Sequence, residues 1–386
     1  MESEVLYRKY RPKSFDEVIG ERHVVEVLRS ALEKNRIAHA YLFSGPRGTG
    51  KTTVARIFAR AVNCANLALA VGEAAKLSIP TKEGLHLQIP CNKCEVCQEF
   101  LSGRALDLVE IDAASSRGID EIRALKEAVQ VLPFKAKYKV YIIDEVHMLT
   151  KEAFNALLKT LEEPPSHVIF ILATTEIEKV PETIVSRAQH FEFRLISEEE
   201  LESALERIVK KEGFNAEEGV MGLVAVLAEG SLRDAESILD QLLAYSEKEV
   251  KLADLELVFG LPSQALVQNI SAAFLEQNAK SALAHIHRAS EQSIDMKILF
   301  KLLLRNFRHL LYLKLEPAYK AELVKFIDSR TLVFFEEVVK KYEPGRFADI
   351  LKKLNDAYPH LRFAYVPELP LELAALNIAS GQNNGK

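Results

Sequence analysis

Short apolar runs alternate with stretches of helical spacing along the first half of the chain. Ala40-Tyr41-Leu42-Phe43-Ser44, Asp107-Leu108-Val109-Glu110-Ile111-Asp112, Val140-Tyr141-Ile142-Ile143, Val168-Ile169-Phe170-Ile171-Leu172-Ala173 and Phe191-Glu192-Phe193 predict strands. The third and fourth are apolar throughout, the mark of strands covered on both faces. Helical spacing is carried by Val24, Val25, Val27, Leu28, Ala31 and Leu32, and again by the stretch from Thr53 to Arg60. It returns at Ile119, Ile122, Leu125 and Val129, and at Phe154, Leu157, Leu158 and Leu161, which stop at Glu163-Pro164-Pro165. This alternation predicts an α/β fold with a doubly wound parallel sheet. The segment from Tyr10 to Gly20 lacks periodicity and predicts an ordered, extended stretch.

From about residue 197 the pattern is helical only. Ser197-Glu198-Glu199-Glu200 offers a side-chain oxygen and, three residues later, a carboxylate, as a capped helix start does. Leu299, Phe300, Leu302, Leu303, Phe307, Leu310 and Leu311 form a broad apolar stripe punctuated by Lys301, Arg305, Arg308 and Lys314. Such a stripe predicts a helical core or a helix–helix interface. The expected organisation is an α/β domain at 1–196, a small helical domain at 197–258, a second all-helical domain at 259–378 and a disordered tail at 379–386.

Charge narrows the partners. The chain has 386 residues, with 55 acidic against 50 basic, a formal net charge of −5. No strong overall field draws it onto nucleic acid, so any DNA contact is expected to be local. The first twenty residues are charged and polar and do not read as a signal peptide, and no apolar run is long enough to span a bilayer. A cytoplasmic location with no membrane partner is the expectation.

The candidate chemistry begins at Gly45-Pro46-Arg47-Gly48-Thr49-Gly50-Lys51-Thr52, which fits G-x-x-x-x-G-K-[ST] in full. A strand precedes it and a helix, read from Thr53 to Arg60, follows, with Thr53 beside the loop. Glycines at 45, 48 and 50 let the backbone curl with its N–H groups inward, and the helix adds unpaired donors and a positive dipole end, so the loop suits a triphosphate. Lys51 is expected to reach the β- and γ-phosphates of ATP, and Thr52 to place its hydroxyl on Mg²⁺. Asp144-Glu145 close the apolar run at 140–143, where ligands bind in open α/β sheets. With a P-loop upstream, Asp144 is expected to hold Mg²⁺ through water, and Glu145 to orient and deprotonate the attacking water.

Four cysteines occur, three as Cys91-x-x-Cys94-x-x-Cys97. In a reducing compartment this spacing points to a structural zinc site, with Cys64 inferred as fourth ligand and the module spanning 64–97. The residues between 65 and 90, rich in Ala, Leu and Val, suggest a helix and a partner surface. Gly230-Ser231-Leu232-Arg233-Asp234 opens a helix with a cation in its first turn, where it opposes the dipole. A bound anion and a solvated arginine both explain that placement.

These pieces together resemble the AAA+ ATPases, and closely the gamma/tau family of bacterial DNA polymerase III clamp-loader subunits. The resemblance rests on Tyr10-Arg11-Pro12-Lys13-Ser14-Phe15, the P-loop, the cysteine module, Glu110-Ile111-Asp112-Ala113-Ala114-Ser115, Ile143-Asp144-Glu145-Val146-His147-Met148-Leu149, Asn155 to Pro165, and Gly230-Ser231-Leu232-Arg233-Asp234-Ala235. It implies that Thr174 is the sensor-1 residue facing the γ-phosphate and that Arg233 is sensor 2 on a small lid. It also implies that Arg187 is an arginine finger acting on a neighbouring subunit's ATP. The segment with Tyr10, Arg11, Pro12, Val18 and Ile19 is implied to wrap the adenine. The third domain is implied to form the collar of a pentameric ring that opens a sliding clamp and loads it on primed-template DNA. Polymerase and helicase contacts belong, by the same resemblance, to a longer tail that this chain lacks. The sequence departs from the family pattern at Ala188, where cysteine is usual, and in the long Cys64–Cys91 interval. A non-hydrolysing scaffold of the same fold and an AAA+ helicase motor are the rival readings; intact Lys51, Thr52, Asp144 and Glu145 oppose the first, and the cysteine module the second.

Overall fold

The computed structural model describes residues 4–67, 89–115, 119–324, 327 and 329–381. Most of the 65–90 interval, the end of the polar turn at 113–118 and most of the expected disordered tail lie outside these. The chain divides into two compact units, Met1–Ala204 with Ala228–Ser237, and Leu205–Leu227 with Ile238–Lys386.

The first unit is built on five parallel strands, β1 (Ala40–Ser44), β2 (Leu108–Asp112), β3 (Lys139–Asp144), β4 (Val168–Thr174) and β5 (Gln189–Glu192), in the order β2-β3-β4-β1-β5. β1 and β4 are buried at every position, as their apolar runs require. Their side chains alternate between two separate cores, since successive residues of a strand point to opposite faces. Tyr41, Phe43, Ile169 and Ile171 pack with Val54, Ile57 and Phe58 of the helix after the P-loop. Leu42, Phe170 and Leu172 pack on the other face with Leu125, Phe154, Leu157 and Leu161. The doubly wound expectation is therefore met. Register sets Asp112 opposite Asp144 and Ser44 opposite Thr174, which lines up the strand ends that carry the candidate chemistry.

Two local expectations are corrected. β5 starts and ends earlier than the Phe191–Phe193 run: it is an edge strand whose Gln189, His190 and Glu192 are exposed, so only Phe191 leaves an apolar mark in the sequence. Nor is the N-terminal segment extended throughout. α1 (Leu6–Lys9) precedes the Tyr10–Gly20 stretch, which itself contains a 3₁₀ turn at Phe15–Glu17, pinned by Phe15, which is 2% exposed. Four- and three-residue turns are too short to show a period.

In the second unit the apolar stripe becomes the buried face of a helix at Met296–Leu315. Leu299, Phe300, Leu303, Phe307 and Leu310 sit in a core with Ile270, Phe274, Phe335, Phe347 and Leu354, while Leu302 and Leu311 are half-buried at its edge. The unit is not purely helical: Asn215–Ala216 and Glu249–Val250 pair as two-residue parallel strands, too short to leave a pattern. No helix among the described residues is long and apolar enough to cross a membrane.

Candidate nucleotide-binding site

Beyond β1 the chain turns through the P-loop into α2 (Lys51–Val62), and the turn leaves no room for side chains at two points. Gly45 has φ +136, and a Cβ there would lie 2.2 Å from the carbonyl oxygen of Phe193. Gly48 has φ +76, and a Cβ would lie 1.8 Å from Oγ of Ser231. Both need glycine for conformation and for space. The loop is tied at its ends: Gly45 N–H donates to the Thr174 carbonyl at 3.2 Å, Thr49 Oγ1 to the Pro46 carbonyl at 2.9 Å, and Leu232 N–H to the Gly48 carbonyl at 3.2 Å.

Lys51 is 6% exposed and its Nζ donates to the carbonyls of Gly45 and Pro46 at 2.8 and 2.7 Å. Burial lowers its pKa, opposed by the nearby carboxylates of Glu145 and Asp144. Thr52 Oγ1 donates to Oδ2 of Asp144 at 2.7 Å, bringing a hydroxyl and a carboxylate from two elements together. Such hard oxygen donors suit Mg²⁺. Glu145 follows with a left-handed backbone, φ 49, and its Oε2 accepts from the backbone N–H and the hydroxyl of Thr175 at 3.3 and 3.0 Å. Thr174, fully buried, lies 3.0 Å from Nδ1 of His147.

Lys51, Thr52, Asp144 and Glu145 border one cavity of about 690 Å³. Its other wall holds Arg11, Pro12, Val18 and Ile19, with Leu232 and Arg233 from the start of α3 (Leu232–Tyr245). Tyr10 is not in that wall. Tyr7 is, and the Arg233 guanidinium lies over its ring at 5.0 Å, an arrangement that favours a held rather than a solvated arginine. Glu236, one turn on, lines the same cavity at 5% exposure. Burial pushes its carboxyl up to about 8 against the pull of Arg11. Sequence reasoning passed over Tyr7, Glu236 and His147; only the spacing Arg233-x-x-Glu236, one helical turn, carried a signal. Arg187 stands apart from the cavity, donating to the Thr183 carbonyl at 2.9 Å and to Glu162 Oε1 at 2.7 Å.

The four cysteine sulfurs lie within 4.8 Å of one another, Cys64 included, and Cys91 Sγ is 3.9 Å from Cys97 Sγ. A tetrahedral zinc with sulfurs at ~2.3 Å needs sulfur pairs about 3.8 Å apart, so the set fits a metal ion. A hydrogen bond from Cys97 pulls the Cys64 thiol down to about 5, toward the thiolate that a metal takes. Arg60, 4% exposed on α2, supplies positive charge near Cys97 and Cys64. It also donates to the Lys13 carbonyl at 2.5 Å, as Asn92 Nδ2 does at 2.8 Å.

A family model described as DNA polymerase III, delta subunit matches residues 20–197, and one described as DNA polymerase III clamp loader subunit, ATPase lid domain matches 200–248. DNA polymerase III subunit tau of Bacillus subtilis is 39% identical over 378 residues, 98% of this chain and 63% of that protein. The chain thus spans less than two thirds of that relative. DNA polymerase III subunit gamma of Buchnera aphidicola subsp. Schizaphis graminum is 38% identical over 317 residues, 82% of each chain. Among solved structures, the Thermotoga maritima RuvB Holliday junction branch migration motor aligns with 69% of this chain and 80% of its own at a TM-score of 0.46 and 20% identity. With 38% identity over 82% of that relative, the chain belongs to the gamma/tau family of DNA polymerase III clamp-loader subunits.

Proposed function

We propose that this chain is an ATP-hydrolysing motor subunit of the DNA polymerase III clamp loader, working in the cytoplasm. In this reading the backbone of residues 45–50 cradles the phosphates, while Lys51 leaves its carbonyl partners for the β- and γ-oxygens. Thr52 and Asp144 hold Mg²⁺, which neutralises charge on the phosphates. Glu145 takes a proton from the attacking water, and Thr174 and Arg233 meet the γ-phosphate. Arg11, Pro12, Val18 and Ile19 enclose the base; Thr53, which lines the cavity beside Thr52, completes that side. The four cysteines hold a structural zinc, closed to catalysis because all four positions are protein ligands. The parts 1–196, 197–258 and 259–378 serve as motor, lid and collar of a pentameric ring with partner subunits, sliding clamp and primed DNA.

The observation that carries this reading is the Thr52–Asp144 hydrogen bond at the mouth of a cavity that also holds Lys51 and Glu145. Steady-state ATPase of the chain with clamp-loader partners tests it. Strong stimulation requiring both clamp and primed DNA is the expected result, and stimulation by single-stranded DNA alone would point to a translocating helicase. Arg187 ion-pairs with Glu162 at a partly exposed position outside the cavity, and in this reading it acts on a neighbour's nucleotide. Arg187→Ala is expected to keep ATP binding and lower ring turnover by about 10³-fold or more, and unchanged turnover would remove the finger assignment.

A further inference from the structure

His147 follows Asp144-Glu145 on a 3₁₀ turn at Val146–Met148, its side chain 6% exposed. Both ring nitrogens are engaged. Nε2 lies 3.0 Å from Oε2 of Glu176; Nδ1 lies 3.0 Å from the hydroxyl of Thr174 and 3.4 Å from Oε2 of Glu145. A hydrogen bond from Lys179 holds Glu176 below the usual carboxylate range, so Glu176 acts only as an acceptor. Nε2 must then carry the proton, and in the neutral ring Nδ1 is left as a lone pair. The Thr174 hydroxyl already accepts from the Glu176 backbone N–H at 3.0 Å, and its own hydrogen is the one available to Nδ1.

We propose that His147 is a positioning residue that aims the Thr174 hydroxyl and, through it, couples phosphate sensing to the placement of Glu145. The inference rests on the roles given to Thr174 and Glu145 above. A γ-phosphate oxygen that recruits the Thr174 hydrogen must take it from Nδ1. The Nδ1 lone pair and the Glu145 carboxylate then face each other with no hydrogen nearby to bridge them. Their repulsion favours release of Glu145 from its Thr175 bonds toward the cavity, where the water to be activated stands.

The test is a double-mutant cycle in the full complex with partner subunits, clamp and primed DNA, reading kcat and ATP affinity separately. His147→Ala is expected to lower kcat about tenfold with affinity within about twofold, and adding Thr175→Val, which removes one of the bonds that Glu145 must leave, is expected to recover much of that loss. A Thr175→Val change that leaves the His147→Ala loss untouched, or a His147→Ala enzyme with normal kcat, overturns the coupling. His147→Asn, which keeps an acceptor near the Nδ1 position, is expected to regain turnover; failure to do so also overturns it. Glu145→Gln separates the two levels. If it turns over normally, the base assignment falls whatever His147 does; if it is inactive, the His147 result stands on its own.

Discussion

Beyond the carboxyl edge of the parallel sheet, Thr49, Lys51 and Glu236 are buried polar groups lining one cavity, whereas the second unit buries a long apolar stripe and few polar side chains. His309 is one of the latter, 8% exposed and bonded through Nδ1 to the Tyr319 hydroxyl at 2.8 Å. The contrast separates two uses of burial. In the helical core it removes apolar area from water and stabilises the fold. At the sheet edge it strips water from Lys51 and Glu236, which costs stability and leaves charges and donors ready for a ligand.

Truncation should expose that division most sharply. Phe307→Ala is expected to destabilise the chain by about 3–5 kcal/mol, seen as a lower denaturation midpoint with ATP affinity nearly unchanged below it. Lys51→Ala should do the reverse, weakening ATP binding about a hundredfold or more, near 3 kcal/mol, with little change in midpoint. A Lys51→Ala chain that binds ATP normally would end the assignment of the cavity.

Titration sharpens the comparison further, because the two units should respond to pH in opposite directions. Glu236 has a folded pKa raised to about 8 from 4.5, so the folded state holds a proton the unfolded state has lost, and stability falls as pH rises from about 4.5 to 8. Glu236→Gln keeps the neutral shape and should stabilise the chain by about 2–3 kcal/mol at pH 9 while matching it near pH 4.5. His309 has its pKa lowered to about 3 from 6.5 by burial, with Arg305 and Arg308 adding to the effect. Stability from that site is complete above about pH 6.5 and is lost as pH falls toward 3. His309→Asn, which retains an acceptor for Tyr319, should therefore reduce the loss between pH 7 and pH 5 by about 1–2 kcal/mol. Parallel pH curves for wild type and either variant would show that the group does not titrate as its surroundings imply.

The sheet, the P-loop, Asp144-Glu145 and the Cys91–Cys97 run were legible because each is written locally: alternation, a fixed glycine spacing, an acidic strand end, two-residue cysteine steps. Tyr7 could not be read in this way. Its place depends on Arg233 arriving from more than two hundred residues away. Glu236 looked like any glutamate on a helix until the fold buried it, and His147 gained meaning only when Thr174 and Glu176 came beside it. Cys64 lies between, since the sequence supplied the residue and the fold supplied its three neighbours. The two-residue strands at 215–216 and 249–250 fall below the length at which any period can be counted.

The strand order has a consequence for the nascent chain. β1, which launches the P-loop, pairs with β4 and β5 and with no strand made sooner. The carbonyl that anchors Gly45 belongs to Thr174, and the Phe193 backbone packs against the same glycine. At about 5–20 residues per second, the ribosome needs roughly seven to thirty seconds after making the loop to supply these supports. Until then the glycine loop is a loose segment beside an unpaired strand. ATP competence therefore arrives late, when translation has passed residue 193 and then the start of α3, whose Leu232 N–H holds the Gly48 carbonyl.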